Sequence, residues 1–483
     1  MRRILYTLIG ALLVAGSTTA QMRTSYFMEG SYFRTDMNPA LAPTRGYIQL
    51  PVAGSLGVSL GNNFLSVDNF IFKSDEGLVT ALHNSVSANE FLDRLPKKGN
   101  LTVDFTTNII GFGAHTKKLF WNFGLGIRSH TELSLKKDMF RALKTLGSGS
   151  YDMSGTYFNN TEYAETYIGF AIPLKEWVTF GFRAKGLFGI ADISADINTL
   201  AANISPNNVS ATLIGNMRAN SPILNNRYAA GEPLSFSSLF RRDVGGILKG
   251  ARSAGAAIDL GLEFRLCDDK LRISAAATDI GFIFWNKYST VNAMAQGSFS
   301  YSGFNFSTGE VIADGAFDAQ MSAPTGSYIR RLTCALNVGV EYNILRNHIA
   351  FGLLSHTKFG QSFISTELTA SVNFRIGRWL STTFSHTFLN GNAPGTLGFA
   401  LNVHPTGFNL FVGADFLDPR FGFYKNIPIP KSLKSANVYV GVGFNLGPAK
   451  YMPCMQKAKE YRDKKRVERK AKRENKRASK RHA

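Results

Sequence analysis

Along much of the chain apolar and polar residues alternate one by one, the period of a strand with oil on one face and a polar interior on the other. In 436–446, Val438, Val440, Val442, Phe444 and Leu446 hold one phase, and Asn437, Tyr439, Gly441, Gly443 and Asn445 hold the other. Segments of this kind recur fourteen times, at about 46–60, 100–115, 120–134, 161–174, 176–196, 251–267, 270–286, 326–344, 347–357, 361–377, 378–390, 395–404, 407–417 and 436–446. After every second segment the connection is only a few residues long, as at Thr116 to Leu119, Asp268-Asp269 and Leu345-Arg346, whereas most of the others are long. An even strand number with short turns at one end and long loops at the other predicts an all-β fold: a fourteen-stranded antiparallel transmembrane barrel.

The polar phase carries charge of both signs. Arg128, Glu132, Arg183, Lys185, Glu263, Arg265, Glu341, Glu367 and Arg375 all fall on it, and they are expected to form a paired network in the lumen. A cation on the lipid face would cost about 2–4 kcal/mol at the bilayer midplane, which is a reason for the faces to separate. One strand changes phase. Leu271, Ile273, Ala275 and Ala277 share a face, but Ile280, Phe282 and Phe284 take the other, so a bulge is expected near Asp279.

Composition agrees with a barrel. Of 483 residues, 18% are charged, against about 25% in soluble domains, and there are 46 Gly and 38 Phe. Residues 1–20, with Arg2, Arg3 and an apolar run before Thr18-Thr19-Ala20, read as a secretory signal. Residues 21–45 lack alternation and contain Pro39 and Pro43, so they are not a central strand. Residues 46–447 are the expected barrel and 448–483 a basic tail. From 456 onward that tail holds 14 Lys or Arg against 4 Asp or Glu, half of the chain's formal charge of +20. Behind an export signal this charge suits an anionic envelope partner, not nucleic acid; a solvated tail without a fixed partner is the alternative. Two of the long loops offer an amphipathic helix, over Leu78 to Leu95 and Leu239 to Leu248, with plain solvent-exposed loops as the alternative. Cys267, Cys334 and Cys454 have no metal spacing, although Cys267 and Cys454 would lie at the same end of the barrel, where a disulfide is an open alternative. His130 and His356 fall on lumen positions. No nucleophile with its base, phosphate loop or metal pair is recognisable, so no enzyme activity, cofactor or metal is expected.

Three motifs carry a resemblance. Asn38-Pro39-Ala40 just before the first strand resembles the plug motif of FadL-type outer-membrane transporters. Tyr439-x-Gly441-x-x-Phe444-x-Leu446 resembles the assembly signal of bacterial outer-membrane barrels, although here a tail follows it. The hairpin at 258–285, with Thr278-Asp279-Ile280-Gly281-Phe282, resembles a family of uncharacterised Bacteroidetes outer-membrane barrels related to the FadL type. The resemblance implies a bacterial outer-membrane location among lipid, and a plug at 21–45 with Asn38, Pro39 and Ala40 as gate. It also implies passive uptake of a small hydrophobic or amphipathic compound. The alternative is a non-conducting structural or docking barrel of the cell envelope. A channel should show an apolar pocket or a lateral gap, and a platform a lumen full of paired charges.

Overall fold

The computed structural model describes residues 23–447, with breaks in the connecting segments of which the longest is 233–244. The signal at 1–20, most of the helix expected at 239–248, Cys454, and the tail at 448–483 except Val467 lie outside the described residues.

Fourteen strand positions close a ring in chain order. The first is made of Gly46–Gln49 and Ser55–Asn62, and then come Lys98–His115, Phe120–Lys136, Thr156–Lys175, Val178–Ser205, Ala254–Leu266 and Leu271–Trp285. The eighth is made of Tyr328–Arg331 and Cys334–Ile344, followed by Ile349–Phe359, Ile364–Ile376, Leu380–Leu389, Asn392–Val403, Asn409–Leu417 and Ser435–Leu446. Each pairs antiparallel with the next, and the last pairs with the first at Gly46↔Leu446 and Leu56↔Val440. Closure leaves no unpaired edge, the condition for crossing a bilayer with strands. Among the described residues no helix is long and apolar enough to cross one.

The outer face is apolar. Phe123, Ile168, Phe282, Val338, Phe351 and Phe384 are each more than 40% exposed, while their strand neighbours turn inward. Of the four tryptophans, Trp121, Trp177 and Trp379 stand at or beside the short turns. Such rings seek the interface between lipid and water, so they mark where one membrane boundary falls.

The bulge lies where the phase change puts it. Ile258 pairs with Ile280 and Leu260 with Ala277, which leaves Asp259 facing two residues. Asp279 takes φ 58°, a left-handed conformation that Asp tolerates better than most residues, and its N–H donates to Asp259 Oδ1 at 2.7 Å. The turn at Cys267 to Asp269 is left-handed at all three residues, with φ 53°, 54° and 67°. Cys267 is an exposed free thiol there.

The long-loop end differs from the sequence-based expectation. Stretches read as loops continue as strands that stand beyond the barrel: Val178–Ser205 runs on for 28 residues and pairs with Asn208–Asn220, which in turn pairs with Thr290–Asn305. Apolar and polar residues alternate here too, with Val209, Ala211, Leu213 and Met217 on one phase and Asn208, Ser210, Thr212 and Asn216 on the other, but many of the apolar residues are small, which makes the pattern fainter than in the wall. The helix expected over Leu78 to Leu95 is absent. In its place are a hairpin, Ile71–Ser74 with Gly77–Thr80, and a one-and-a-half-turn helix, Ala88–Asp93, capped by Ser87, whose hydroxyl accepts from the Glu90 N–H at 3.1 Å. Phe64, Phe72, Val86, Phe91 and Leu95 pack into a small core under it, with Phe140 against them. His83 interrupts the apolar spacing that suggested one helix, and the chain folds over its own phenylalanines instead.

Candidate functional site: the plug seat and the chamber above it

Residues 23–45 enter the lumen as a compact coil with one short turn of 3-10 helix, Arg23–Ser25, and one of α-helix, Arg34–Met37. Almost all of it is buried. Tyr26, Phe27, Met28, Tyr32, Phe33, Met37 and Leu41 form the largest apolar cluster together with Tyr47, Leu354, Phe411 and Tyr439 of the wall. Tyr32 stacks on Tyr47 with centroids 4.6 Å apart, and Phe33 lies 4.8 Å from Phe411.

Asn38, Pro39 and Ala40 sit in a notch of the wall. Asn38 Oδ1 accepts from the Ala40 N–H at 2.9 Å, closing an Asx turn around Pro39. Its Nδ2 donates to Tyr26 Oη at 3.2 Å and to the Leu262 carbonyl at 3.3 Å. The notch exists because Gly181 and Gly261 face each other across adjacent strands. A Cβ on Gly181 would collide with the Ala40 backbone nitrogen, and one on Gly261 with Asn38 Oδ1.

Charge holds the plug on several sides. Arg183 donates to Asp36 at 2.9 Å and to the Thr35 carbonyl at 2.9 Å, and Arg23 meets Glu367 at 2.5 Å. Thr24 donates to Asp415, and Asn337 Nδ2 donates to the Met37 carbonyl at 2.8 Å. Toward the short turns a buried chain of charges runs from Glu263 to Arg265 at 2.9 Å, to Asp269 at 2.8 Å, and to Arg272 at 2.6 Å. Arg272 continues to Glu341 at 3.2 Å and to Glu29 of the plug, and Arg375 also meets Glu341. Arg34 of the plug is buried within electrostatic reach of Glu263, Glu29 and Glu341. Four arginines then stand among four carboxylates, so the group is neutral, as burial demands.

All nine charged positions singled out on the polar phase point inward; eight have an oppositely charged neighbour, and Glu132 has His130. Besides the pairs above, Arg128 meets Glu165 at 2.5 Å, Lys185 bridges Asp259 at 2.9 Å and Asp279 at 2.6 Å, and Glu132 meets His130 Nε2 at 2.9 Å. Their partners were less visible in the sequence. Asp259 and Arg272 share the polar phase with Glu263 and Ser274, which is a usable signal, but Glu29 and Asp36 lie in the plug, where no phase applies.

Above the plug lies a chamber of about 140 Å³. Its floor is Phe33, Asp36 and Met37, and its walls include Phe105, Asn159, Tyr163, Leu332 and His356. Toward the long-loop end a brace crosses the lumen. Asp104 joins Lys358 of the far wall and also His130, and His130 joins Glu132. Glu132 in turn accepts from the Gln361 N–H at 2.8 Å and from the Ser362 N–H and hydroxyl at 2.9 and 2.8 Å. Among the described residues no group of three or more His, Cys, Asp or Glu side chains could hold a metal ion.

A closed ring with a lipid-facing exterior, a polar lumen and an N-terminal plug is a plugged transmembrane β-barrel. The chain belongs to DUF5723, described as a family of unknown function, whose profile matches residues 39–415. No curated protein matches its sequence. Among solved structures it is similar to the Ralstonia pickettii toluene transporter TbuX, at TM-score 0.38 and 8% identity, covering 85% of this chain and 92% of that one. It is also similar to the Pseudomonas putida toluene transporter TodX, at TM-score 0.35 and 8% identity over 89% and 95% of the two chains. A Pseudomonas aeruginosa FadL homologue gives TM-score 0.36 and 7% identity over 89% and 98%. Likeness of this degree says nothing about what the present chain carries.

Proposed function

We propose that the protein is a gated barrel of the bacterial outer membrane that admits a small amphipathic compound from its long-loop end and passes it on when the plug moves. The observation that supports this reading is the position of the chamber, whose floor is the plug itself. An occupant touches Phe33, Asp36 and Met37, one residue from Asn38, so cargo and gate are in contact. Asn38, Pro39 and Ala40 act as the anchor of that gate, because at their seat against Gly181 and Gly261 the plug backbone itself presses on the wall. Paired charges alternate with Phe105, Tyr163 and Leu332 around the chamber, a lining that suits an amphipathic cargo better than a bare hydrocarbon.

Planar-bilayer recording tests this reading. Full-length protein should be nearly silent, deletion of 21–45 should open a stable conductance, and Asn38→Ala should open it more rarely. Silence after deletion, in a barrel that still resists heat on a gel, would favour a non-conducting docking barrel, a reading that the many ion pairs around the plug also favour. The basic tail at 448–483 is assigned in the same proposal to an anionic surface of the cell envelope, on the side of the short turns where the last strand ends at Leu446.

A further inference from the structure

The chamber has a hydrogen-bonding inventory of its own. Its ionised residues are already matched: Arg128 with Glu165, Arg183 with Asp36, Lys185 with Asp279, and Lys358 with Asp104. At the rim, Arg331 donates to the carbonyls of Phe359 and Gly360. Among the lining residues a charged occupant would find only the Arg331 guanidinium without a carboxylate partner, and that at the exposed rim, so a charge inside the chamber would be poorly compensated.

Two lining side chains are not matched. Asn159 is fully buried, and neither its Oδ1 nor its Nδ2 has a hydrogen-bond partner. His356 is 3% exposed; its Nδ1 is 2.6 Å from Asn337 Oδ1, and its Nε2 has no partner. The Asn337 amide nitrogen is spent on the Met37 carbonyl, so its oxygen faces His356 and Nδ1 carries the proton. That leaves Nε2 as an acceptor without a donor. Buried polar groups are seldom left this way, and here both face one cavity from strands on different sides of the barrel.

We infer that the chamber is a binding site for a small neutral compound that carries a hydroxyl group on an apolar body. The hydroxyl donates to His356 Nε2 or pairs with the Asn159 amide, and the body lies against Phe33, Phe105 and Leu332. Size sets the scale, since a dry cavity of about 150 Å³ holds one benzene ring. The assignment deepens the uptake reading and rests on it, because it names the class of molecule that would sit on the gate.

The test is equilibrium binding to the full-length barrel in detergent, with three probes of one size: phenol, benzene and benzoate. Phenol should bind at least about tenfold more tightly than either of the others, one hydrogen bond's worth in the first case and a buried charge in the second. His356→Phe and Asn159→Leu should each weaken phenol about five- to tenfold and leave benzene unchanged, with heat resistance of the barrel on a gel confirming that both variants fold. Benzene binding as tightly as phenol would overturn the inference, as would benzoate binding tightest or phenol failing to bind at all. Because nothing is transported in this assay, a binding failure is separable from a failure of the gate, which the conductance of the plug deletion reports.

Discussion

The two ends of the lumen are closed by different chemistry. Toward the short turns the closure is burial: a plug rich in aromatic rings fills the barrel, and its charges are neutralised within a buried network of Glu29, Arg34, Arg272, Glu341 and Arg375. Toward the long loops it is a brace of polar contacts, Lys358 to Asp104 to His130 to Glu132 to Ser362. Buried aromatic area yields little when one contact is lost, whereas a chain of hydrogen bonds can be undone link by link. The first closure is built to last and the second to give way, which is why the proposed uptake route starts at the brace.

The sharpest way to break the comparison is Arg272→Met. It leaves Glu29, Asp269, Glu341 and Glu263 one cation short in a buried site, with only Arg265, Arg375 and Arg34 to balance them, and loss of one partner in such a group costs about 3–5 kcal/mol. The urea midpoint of the detergent-solubilised barrel should fall accordingly, and an unchanged midpoint would mean that water already reaches these carboxylates. Next in size is Gly261→Val, which fills the notch that seats Asn38. Its conductance should approach that of the 21–45 deletion with the barrel itself still folded; a silent variant would show that the seat does not hold the plug.

Ser362→Ala acts at the other end and should do less. It removes one hydrogen bond to Glu132, worth about 1 kcal/mol. In a background whose native cysteines are replaced by serine, a cysteine placed at Ala335, on the chamber wall, should then react severalfold faster with a membrane-impermeant maleimide, while conductance stays at the wild-type level. Equal labelling rates would remove the brace from the account. The smallest effect is expected from deleting 456–483. Barrel stability should not change, but co-sedimentation with anionic vesicles should be lost, and in the intact chain it should weaken as salt rises to where the Debye length is about 8 Å.

Much of the barrel was legible because lipid imposes a rule on every second residue. The phase of Phe282 and Phe284 against Ile273 located the Asp279 bulge from sequence, and Asp268-Asp269 marked its turn. Beyond the wall the rule weakens without vanishing. Asn208–Asn220 and Thr290–Asn305 pair as regularly as any wall strand and also alternate, but alanines such as Ala211, Ala219, Ala293 and Ala295 hold much of the apolar phase, so a reading that looks for large lipid-facing side chains passes them over. The plug shows a different limit. Asn38-Pro39-Ala40 was visible as a turn, but Glu29 and Asp36 gain meaning only once Arg272 and Arg183 stand opposite them, more than a hundred residues away in the chain. The glycines of the seat were hidden for the same reason: a missing side chain signals a close neighbour without naming it.

The ring shuts between Gly46 and Leu446, the first strand against the last. Every residue of the plug is therefore synthesised before the wall that will enclose it, and the gap through which it could be inserted vanishes only when residue 446 arrives. Phe33 already has Phe411 and the closing strand's Gly441 as neighbours in the finished protein. The coil at 23–45 is in this sense a mandrel: the closed sheet is shaped to it, and the last strands meet the first across a surface that the plug supplies.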